Sequence, residues 1–156
     1  STMYNKIYLP YYIEDEMKFF KLFKLLIYSK PKFFFPKLKI KNHPSMSNSK
    51  CHLSLIKKIN NFLKDENFFF RTSSLNRKIS IFLGSTAAVI EGLERKVRVF
   101  HICGNDIFEK FDNFYWKEIK IKNIHKNIYE YKIQKKGNFI RFGKEKDTLS
   151  TLKVNF

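Results

Sequence analysis

The chain has 156 residues, which is enough for one domain with a substantial hydrophobic core and short for two. Its 31 basic and 14 acidic residues give a net charge of +17, which favours negatively charged partners such as nucleic acid, an anionic membrane or phosphorylated ligands. No apolar run approaches the roughly 20 residues of a membrane-spanning helix, and no secretory signal is visible, so we expect a cytoplasmic protein.

The first third of the chain predicts a strand, a helix and a second strand. The segment KIYL at 6–9 is a short apolar strand that Pro10 ends. Acidic residues at 14–16 open a helix that ends before Pro31, because carboxylates suit the positive end of a helix dipole. The alternating KLKIK at 37–41 predicts the second strand. The buried stripe of the helix is predicted to be Met17, Phe20, Phe23, Leu26 and Ile27.

A second helix is predicted to begin at Ser49 or Lys50, after a polar loop. An aromatic run at 67–71 predicts a short strand, and the following residues are polar. The continuous apolar run ISIFL at 79–83 indicates a strand that is buried on both faces of a parallel sheet. The inward-facing residues of the second helix are predicted to be Leu53, Leu55, Ile56, Ile59 and Leu63.

The remaining elements complete an alternating pattern. They are a helix at 85–94, strands at 97–102 and 117–121, a short helix at 106–111, and a strand or helix start at 128–133. Strands that alternate with helices predict an α/β fold with a Rossmann-like, mostly parallel sheet flanked by helices. We expect a single domain at 3–135, followed by a loosely ordered C-terminal extension at 136–156.

Two loops that follow predicted strands carry unusual polar residues. After 79–83, Gly84 allows a tight turn, and Ser85 and Thr86 precede a helix whose free amides and dipole favour an anion. The alternative is an ordinary helix N-cap. Glu91 is placed to accept hydrogen bonds from the hydroxyls of a ribose, or to pair with Arg95 four residues later.

The other loop follows the strand at 37–41. Pro44 fixes the turn, and the imidazole of His43 is placed to donate to a phosphate oxygen or to protonate it as it departs. Lys41 is either a phosphate partner or an ordinary lysine at the sheet edge. The alternative for His43 is a surface histidine in a turn. In parallel sheets, ligands bind beyond the carboxyl ends of the strands, which is where both loops are expected.

The residue spacing does not predict a structural metal. The two cysteines, Cys51 and Cys103, form no CxxC or Cys/His ligand pattern. Cys103 ends an apolar run, which predicts a buried thiol, and we expect both cysteines to be reduced.

Together the two loops resemble a known arrangement. A strand ending in KNHP, a helix, and then IFLGSTAAVIEGLERKVRVFHI are similar to the C-terminal, nucleotide-sugar-binding domain of GT-B glycosyltransferases. The likeness covers residues 6–121 and is greatest to bacterial surface-polysaccharide enzymes, which include capsule transferases and sialyltransferases with an HP motif. The resemblance implies that His43 contacts the donor phosphate, that Ser85 and Thr86 are the phosphate-binding hydroxyls, and that Glu91 holds the ribose.

The resemblance also implies a partner and a substrate. Enzymes of this fold use a nucleotide-sugar, here expected to be CMP- or UDP-linked, and they usually need no metal. They have a second, N-terminal acceptor-binding domain, and the acidic catalytic motif of the sialyltransferases is not visible in this chain. We therefore expect a donor-binding half that is inactive alone. Its basic surface favours peripheral contact with the cytoplasmic face of the inner membrane.

Two other classes of function stay open at this stage. The charge, together with 17% aromatic residues, is compatible with a nucleic-acid-binding module, although no known motif of that class is visible. The lysines are spread along the chain and the aromatic residues fall at predicted core positions, which favours a solvated surface over a nucleic-acid interface. A degenerate interaction domain is the remaining alternative.

Overall fold

The computed structural model describes residues 4–66, 77–112, 114 and 116–133, which form alternating strands and helices. A single turn of 3-10 helix, Pro44–Met46, precedes the second α-helix. In chain order the elements are β1 (Lys6–Tyr8), α1 (Glu16–Tyr28), β2 (Lys39–Lys41), α2 (Lys50–Asp65), β3 (Ile79–Leu83), α3 (Ala88–Glu94), β4 (Arg98–Ile102), α4 (Asp106–Glu109), β5 (Ile119–His125) and β6 (Ile128–Ile133).

The strands form one six-stranded sheet in the order β2-β1-β3-β4-β6-β5. The first four strands are parallel, β6 is antiparallel to β4, and β5 pairs with β6 as an antiparallel hairpin. The predicted α/β fold with a mostly parallel, helix-flanked sheet is therefore confirmed. The segment 128–133, for which strand and helix were both open, is a strand.

Two hydrophobic layers cover the two faces of the sheet. On one face, α1 and α2 pack on side chains that include Ile7, Ile81 and Phe100. On the other face, α3 packs on side chains that include Phe82 and Val99. All five residues of β3 are buried, as its continuous apolar run predicts. Burial of each such large apolar side chain stabilises the fold by about 1.5–3 kcal/mol.

The buried stripe of α1 differs from the predicted one. Asp15 caps the helix by accepting a hydrogen bond from the backbone N of Lys18 at 3.1 Å. Met17 is 48% exposed and Phe20 is only partly buried. The helix contacts both the sheet and α2, so a wider arc is buried than a single stripe provides. The buried residues are Phe19, Leu22, Phe23, Leu26 and Ile27.

The inward face of α2 is also rotated relative to the prediction. The helix begins at Lys50, which is one of the two predicted starts, and Ser49 is its N-cap, accepting from the backbone N of His52 at 3.4 Å. Leu53 was predicted to face inward and is 49% exposed, whereas Ile56 and Leu63 are partly buried. The fully inward set includes a histidine, which an apolar stripe does not reveal. The buried residues are His52, Leu55, Ile59 and Phe62.

Several helices and strands begin at residues other than the predicted ones. The third helix begins at Ala88 instead of Ser85, and β5 begins at Ile119. The predicted strand at 67–71 and the C-terminal extension at 136–156 lie outside the described residues. In the part of the chain that the structure describes, no helix combines the length and apolar character needed to cross a membrane.

Candidate functional site

The predicted site residues lie at the carboxyl edge of the parallel strands, around a change in strand order. The chain leaves β1 toward β2 on one side, and leaves β3 toward β4 on the other. Adjacent strands whose connections diverge leave a crevice between the loops that follow them, and ligands of open α/β sheets bind there. The loop after β3 carries Gly84, Ser85 and Thr86, and the loop after β2 carries His43.

Gly84 makes the turn after β3 possible. Its φ is +71°, a left-handed conformation that glycine adopts without strain. Its amide donates to the carbonyl of Ile102 at 2.8 Å, which ties the turn to the end of β4. A Cβ at this position would meet the Pro10 ring, with Cγ at 2.9 Å. The loops after β1 and β3 therefore touch at Gly84, and the crevice between them is narrow.

The hydroxyl residues that follow Gly84 differ from each other. Ser85 is exposed and Thr86 is half-buried. The Oγ1 of Thr86 accepts from the backbone N of Ala88 at 3.2 Å, while Ala87 at the N-cap position makes no side-chain cap bond. Neither hydroxyl residue therefore occupies the N-cap position, and Thr86 caps the helix start from one residue before it. Ser85 stands three residues before the helix, so the predicted direct placement of both hydroxyls at its first turn is wrong.

His43 stands at the start of the turn after β2. Its Nδ1 accepts from the backbone N of Ser45 at 3.2 Å, and its ring meets the Tyr11 ring edge-on at 5.3 Å. With Nδ1 accepting, a neutral imidazole carries its proton on Nε2, which is the atom left to donate to a ligand. Lys41 and Pro44 are both exposed beside it. The ring is therefore oriented by its own turn and by Tyr11.

Glu91 makes the ion pair that was the alternative to ribose binding. Its Oε1 lies 3.1 Å from Nη2 of Arg95, and both side chains are substantially exposed. Pairs of this kind stabilise a helix by about 0.3–0.5 kcal/mol. Burial raises the pKa of Tyr8, and the nearby charge of Glu91 raises it further. Glu91 is therefore close to the end of β1, on the face where Tyr8 stacks on Phe82 at 4.7 Å.

The structure brings the two predicted loops to one edge but not into direct contact. β1 lies between β2 and β3, so their ends are separated by two strand spacings, roughly 10 Å. A single phosphate is too small to contact both loops, whereas a nucleoside diphosphate is long enough to span them. Tyr11 and Tyr12, which are 58% and 70% exposed, lie on the intervening loop.

Two buried histidines that the sequence analysis did not single out hold the loops of this edge. The Nε2 of His101 donates to the Gly84 carbonyl at 2.6 Å, and Nε2 of His52 donates to the Pro10 carbonyl at 2.8 Å. Both rings are buried. A histidine inside an otherwise apolar strand or helix face is the only sequence signal for this role. It could have prompted the search for a buried carbonyl partner.

His101 belongs to a continuous hydrogen-bonded chain. Its Nδ1 accepts from the hydroxyl of Tyr131 at 2.8 Å, and the Tyr131 oxygen accepts from the backbone N of Phe111 at 3.1 Å. Burial lowers the pKa of His101 to about 4, against smaller opposing effects of the Gly84 carbonyl and Asp106. Cys103 is fully buried beside it, as predicted, and burial raises the pKa of its thiol. The imidazole is therefore neutral and structural at neutral pH.

A concave surface also lies away from this edge. A concavity of about 870 Å³ lies along α1 and α2, and it is lined by residues of those helices and by none of the predicted site residues. Among the described residues, no group of three or more His, Cys, Asp or Glu side chains is arranged to hold a metal ion. Comparison with protein-family models, curated proteins and solved structures found no match to this chain.

Replacement of Gly84 by alanine is expected to destabilise the protein by about 2 kcal/mol. A left-handed backbone costs a non-glycine residue roughly 1–2 kcal/mol, and the new methyl group would press on Pro10. Urea unfolding of Gly84→Ala measures the loss. Gly104→Ala is the matched control, because its added Cβ would contact Phe19 at a looser 3.2 Å. Equal losses in the two variants would show that the left-handed turn is not the cause.

Proposed function

We propose that this chain is the nucleotide-sugar-binding domain of a GT-B glycosyltransferase, of the type that builds bacterial surface polysaccharide such as capsule or lipooligosaccharide. One observation carries the proposal. The glycine turn with Ser85 and the loop with His43 follow β3 and β2, at the carboxyl edge where the strand order diverges. This is the position at which open α/β sheets bind nucleotides.

The proposed roles follow from the atoms that remain available. The Nε2 proton of His43 would donate to a phosphate oxygen, and the exposed hydroxyl of Ser85 would donate to another. Thr86 would keep the helix start in place through its bond to Ala88. The Glu91 oxygen that does not contact Arg95 would accept from a ribose hydroxyl. The exposed ring of Tyr11 or Tyr12 offers a face on which a base can stack.

Under this proposal the chain binds the donor and leaves the chemistry to a partner. A GT-B enzyme transfers the sugar between two domains, and its acceptor and catalytic base come from the other one. Among the residues that the structure describes, His43 is the one to which we give a place in the reaction, as a donor to the departing phosphate. We therefore expect nucleotide binding by this chain and no sugar transfer in the absence of an N-terminal domain. No metal is required for these contacts.

A thermal-shift titration with CMP, CDP, UDP and GDP, and with their sugar conjugates, tests the proposal. A ligand at ten times its Kd stabilises the fold by about 1.4 kcal/mol, which is a Tm increase of about 3–6 °C for a chain of this size. We expect a larger increase for the cytidine and uridine diphosphate compounds than for CMP, whose single phosphate cannot contact both loops, and we expect His43→Ala and Ser85→Ala to reduce it. Unchanged Tm values at millimolar ligand for every nucleotide would contradict the proposal.

His125→Ala is the matched control for the histidine variant. His125 is exposed at the end of β5, at the far side of the sheet from β2, so its loss should leave the ligand-induced shift unchanged. Thr86→Ala is less suitable as a test because loss of its cap is expected to lower stability by about 1 kcal/mol without ligand. The increase in Tm with ligand, rather than Tm itself, is the quantity to compare.

A further inference from the structure

A second feature lies at the opposite, amino edge of the sheet, on the face covered by α1. Phe34 is surrounded there by cations. The guanidinium carbons of Arg77 and Arg98 lie 4.7 and 4.8 Å from its ring centre, and Nζ of Lys30 lies 5.2 Å from it. Lys30 and Arg98 also lie over Phe100, at 5.4 and 5.6 Å. Three positive groups therefore share one aromatic platform.

The neighbouring hairpin adds further positive charge to the same place. Lys122 of β5 stands opposite Glu130 of β6. Lys132 follows Glu130 by two residues on β6, so it lies on the same face of the sheet. Burial lowers the pKa of Lys30, and the charges of Arg98, Lys122 and Lys132 lower it further, while Glu130 alone opposes them. We call this group the Phe34 cluster; its cations are Lys30, Arg77, Arg98, Lys122 and Lys132.

Hydrogen bonds hold the arginines of the cluster in place but leave an excess of positive charge. Glu130 is 1% exposed, and its two oxygens accept from Nε and Nη2 of Arg98 at 2.8 and 3.2 Å. Nη1 of Arg77 donates to the Phe34 carbonyl at 2.8 Å. Within the described residues of the cluster, the buried carboxylate of Glu130 is accompanied by five cations. Like charges at such spacing repel, and cation–π contacts of about 0.5–1 kcal/mol each offset only part of that repulsion.

We propose that the Phe34 cluster is a binding site for a multivalent phosphate anion. Such an anion would neutralise the exposed Lys122 and Lys132 and accept from the guanidinium groups, whose planar geometry matches phosphate oxygens. Because Glu130 is 1% exposed and both of its oxygens accept from Arg98, its carboxylate is shielded from the ligand. The site is at the amino ends of β3 and β4, so it is separate from the candidate nucleotide site at their carboxyl ends.

Isothermal titration with inorganic pyrophosphate tests the proposal on the full chain. The Lys122→Gln/Lys132→Gln variant changes two exposed residues and is expected to fold, and its affinity for pyrophosphate should fall at least tenfold. Lys57→Gln/Lys64→Gln removes the same charge from exposed positions of α2 and should change affinity less than twofold. Arg77→Gln should also weaken binding. Equal losses in the two double variants, or no pyrophosphate binding by the unmodified chain, would overturn the proposal.

Two further binding experiments identify the source of the phosphate. Sedimentation with phosphatidylcholine vesicles that contain phosphatidic acid should be reduced by the Lys122→Gln/Lys132→Gln change if a lipid headgroup is the ligand. Pyrophosphate binding with no vesicle binding indicates a free phosphate compound. Binding of a single-stranded oligonucleotide that pyrophosphate does not displace would overturn the proposal in favour of a nucleic-acid surface. A loss of pyrophosphate affinity in His43→Ala as large as that in Lys122→Gln/Lys132→Gln would place the anion at the candidate nucleotide site and would overturn the proposal.

Discussion

Acidification from pH 7 to pH 4 is expected to remove about 3 kcal/mol of folding stability through His101 alone. The pKa of this buried histidine is about 4 in the folded protein, against an ordinary value of 6.5. As the pH falls, the unfolded chain takes up the proton first, so the stability that is present above pH 6.5 is lost between pH 6.5 and pH 4. A pKa difference of this size between the folded and the unfolded chain corresponds to roughly 3 kcal/mol of folding stability.

The physical cause is the hydrogen-bonded chain around the ring. Nδ1 accepts from Tyr131, so a second proton there would remove the bond that the Tyr131 hydroxyl donates, and it would place a positive charge in a fully buried site. Asp106 is the negative charge that favours the protonated form, and its effect is smaller than that of burial. The bond to the Gly84 carbonyl also favours the protonated form, but both favourable effects are smaller than the effect of burial, so protonation of His101 is expected to destabilise the fold.

Urea unfolding at pH 7 and pH 4.5 measures this effect in the unmodified chain and in His101→Gln. The glutamine amide keeps a donor for the Gly84 carbonyl and an acceptor for Tyr131 but does not titrate in this range. Other acidic groups titrate in both proteins, so the difference between the two pH dependences reports on residue 101. We expect His101→Gln to lose less stability on acidification. Parallel pH dependences would show that the histidine does not carry the effect.

The sequence is informative where the signal is local and continuous. The run ISIFL specifies a strand buried on both faces because every residue of β3 is apolar or small, and all five are buried. The loop that carries His43 and the loop that begins with Gly84 are both predicted to lie at the carboxyl edge of the sheet, and the structure has them there. The alternation of strands and helices sufficed for the fold class because parallel strands need such connections.

Local patterns fail where distant contacts decide the outcome. Ser85 and Thr86 resemble a helix start, but the left-handed Gly84 and the Thr86 cap use three more residues before α3 begins. The buried face of α1 shifts to Phe19 and Leu22 because α2 and the sheet both pack on it. The role of His101 depends on a carbonyl 17 residues away, and no spacing rule identifies such a partner.

The antiparallel half of the sheet shows the same dependence on distant partners. The segment IYEYKI alternates in a way that strands and helix starts share, and its pairing with β4 places Glu130 opposite Phe100. Only that register brings the glutamate to Arg98, which is 32 residues earlier in the chain. A charged residue in an alternating strand is ordinarily expected on a solvated face. Its burial here follows from the pairing, which the local sequence does not specify.

Replacement of Glu130 by alanine is expected to cost about 2–4 kcal/mol of stability. Removal of one partner of a fully buried ion pair typically costs about 3–5 kcal/mol, because the remaining charge is left without compensation. The Arg98 side chain is 38% exposed while that of Glu130 is 0% exposed, so water partly replaces the lost partner and the loss should be smaller. The other four cations of the Phe34 cluster should increase the loss, because removal of Glu130 takes away a negative charge that offsets their mutual repulsion.

A double-mutant cycle separates the loss of the pair from the repulsion within the cluster. Glu130→Gln keeps the shape and removes the charge, and Arg98→Met removes the partner. If the pair dominates, the double variant should be less destabilised than the sum of the single ones by at least 1 kcal/mol.

Glu91→Gln is the control, since its exposed pair with Arg95 should contribute less than 1 kcal/mol. Additive losses for Glu130 and Arg98 would contradict a coupled pair. If pyrophosphate then stabilises the Glu130→Gln variant at least as strongly as it stabilises the unmodified chain, repulsion among the cations is the main cost of losing the Glu130 charge.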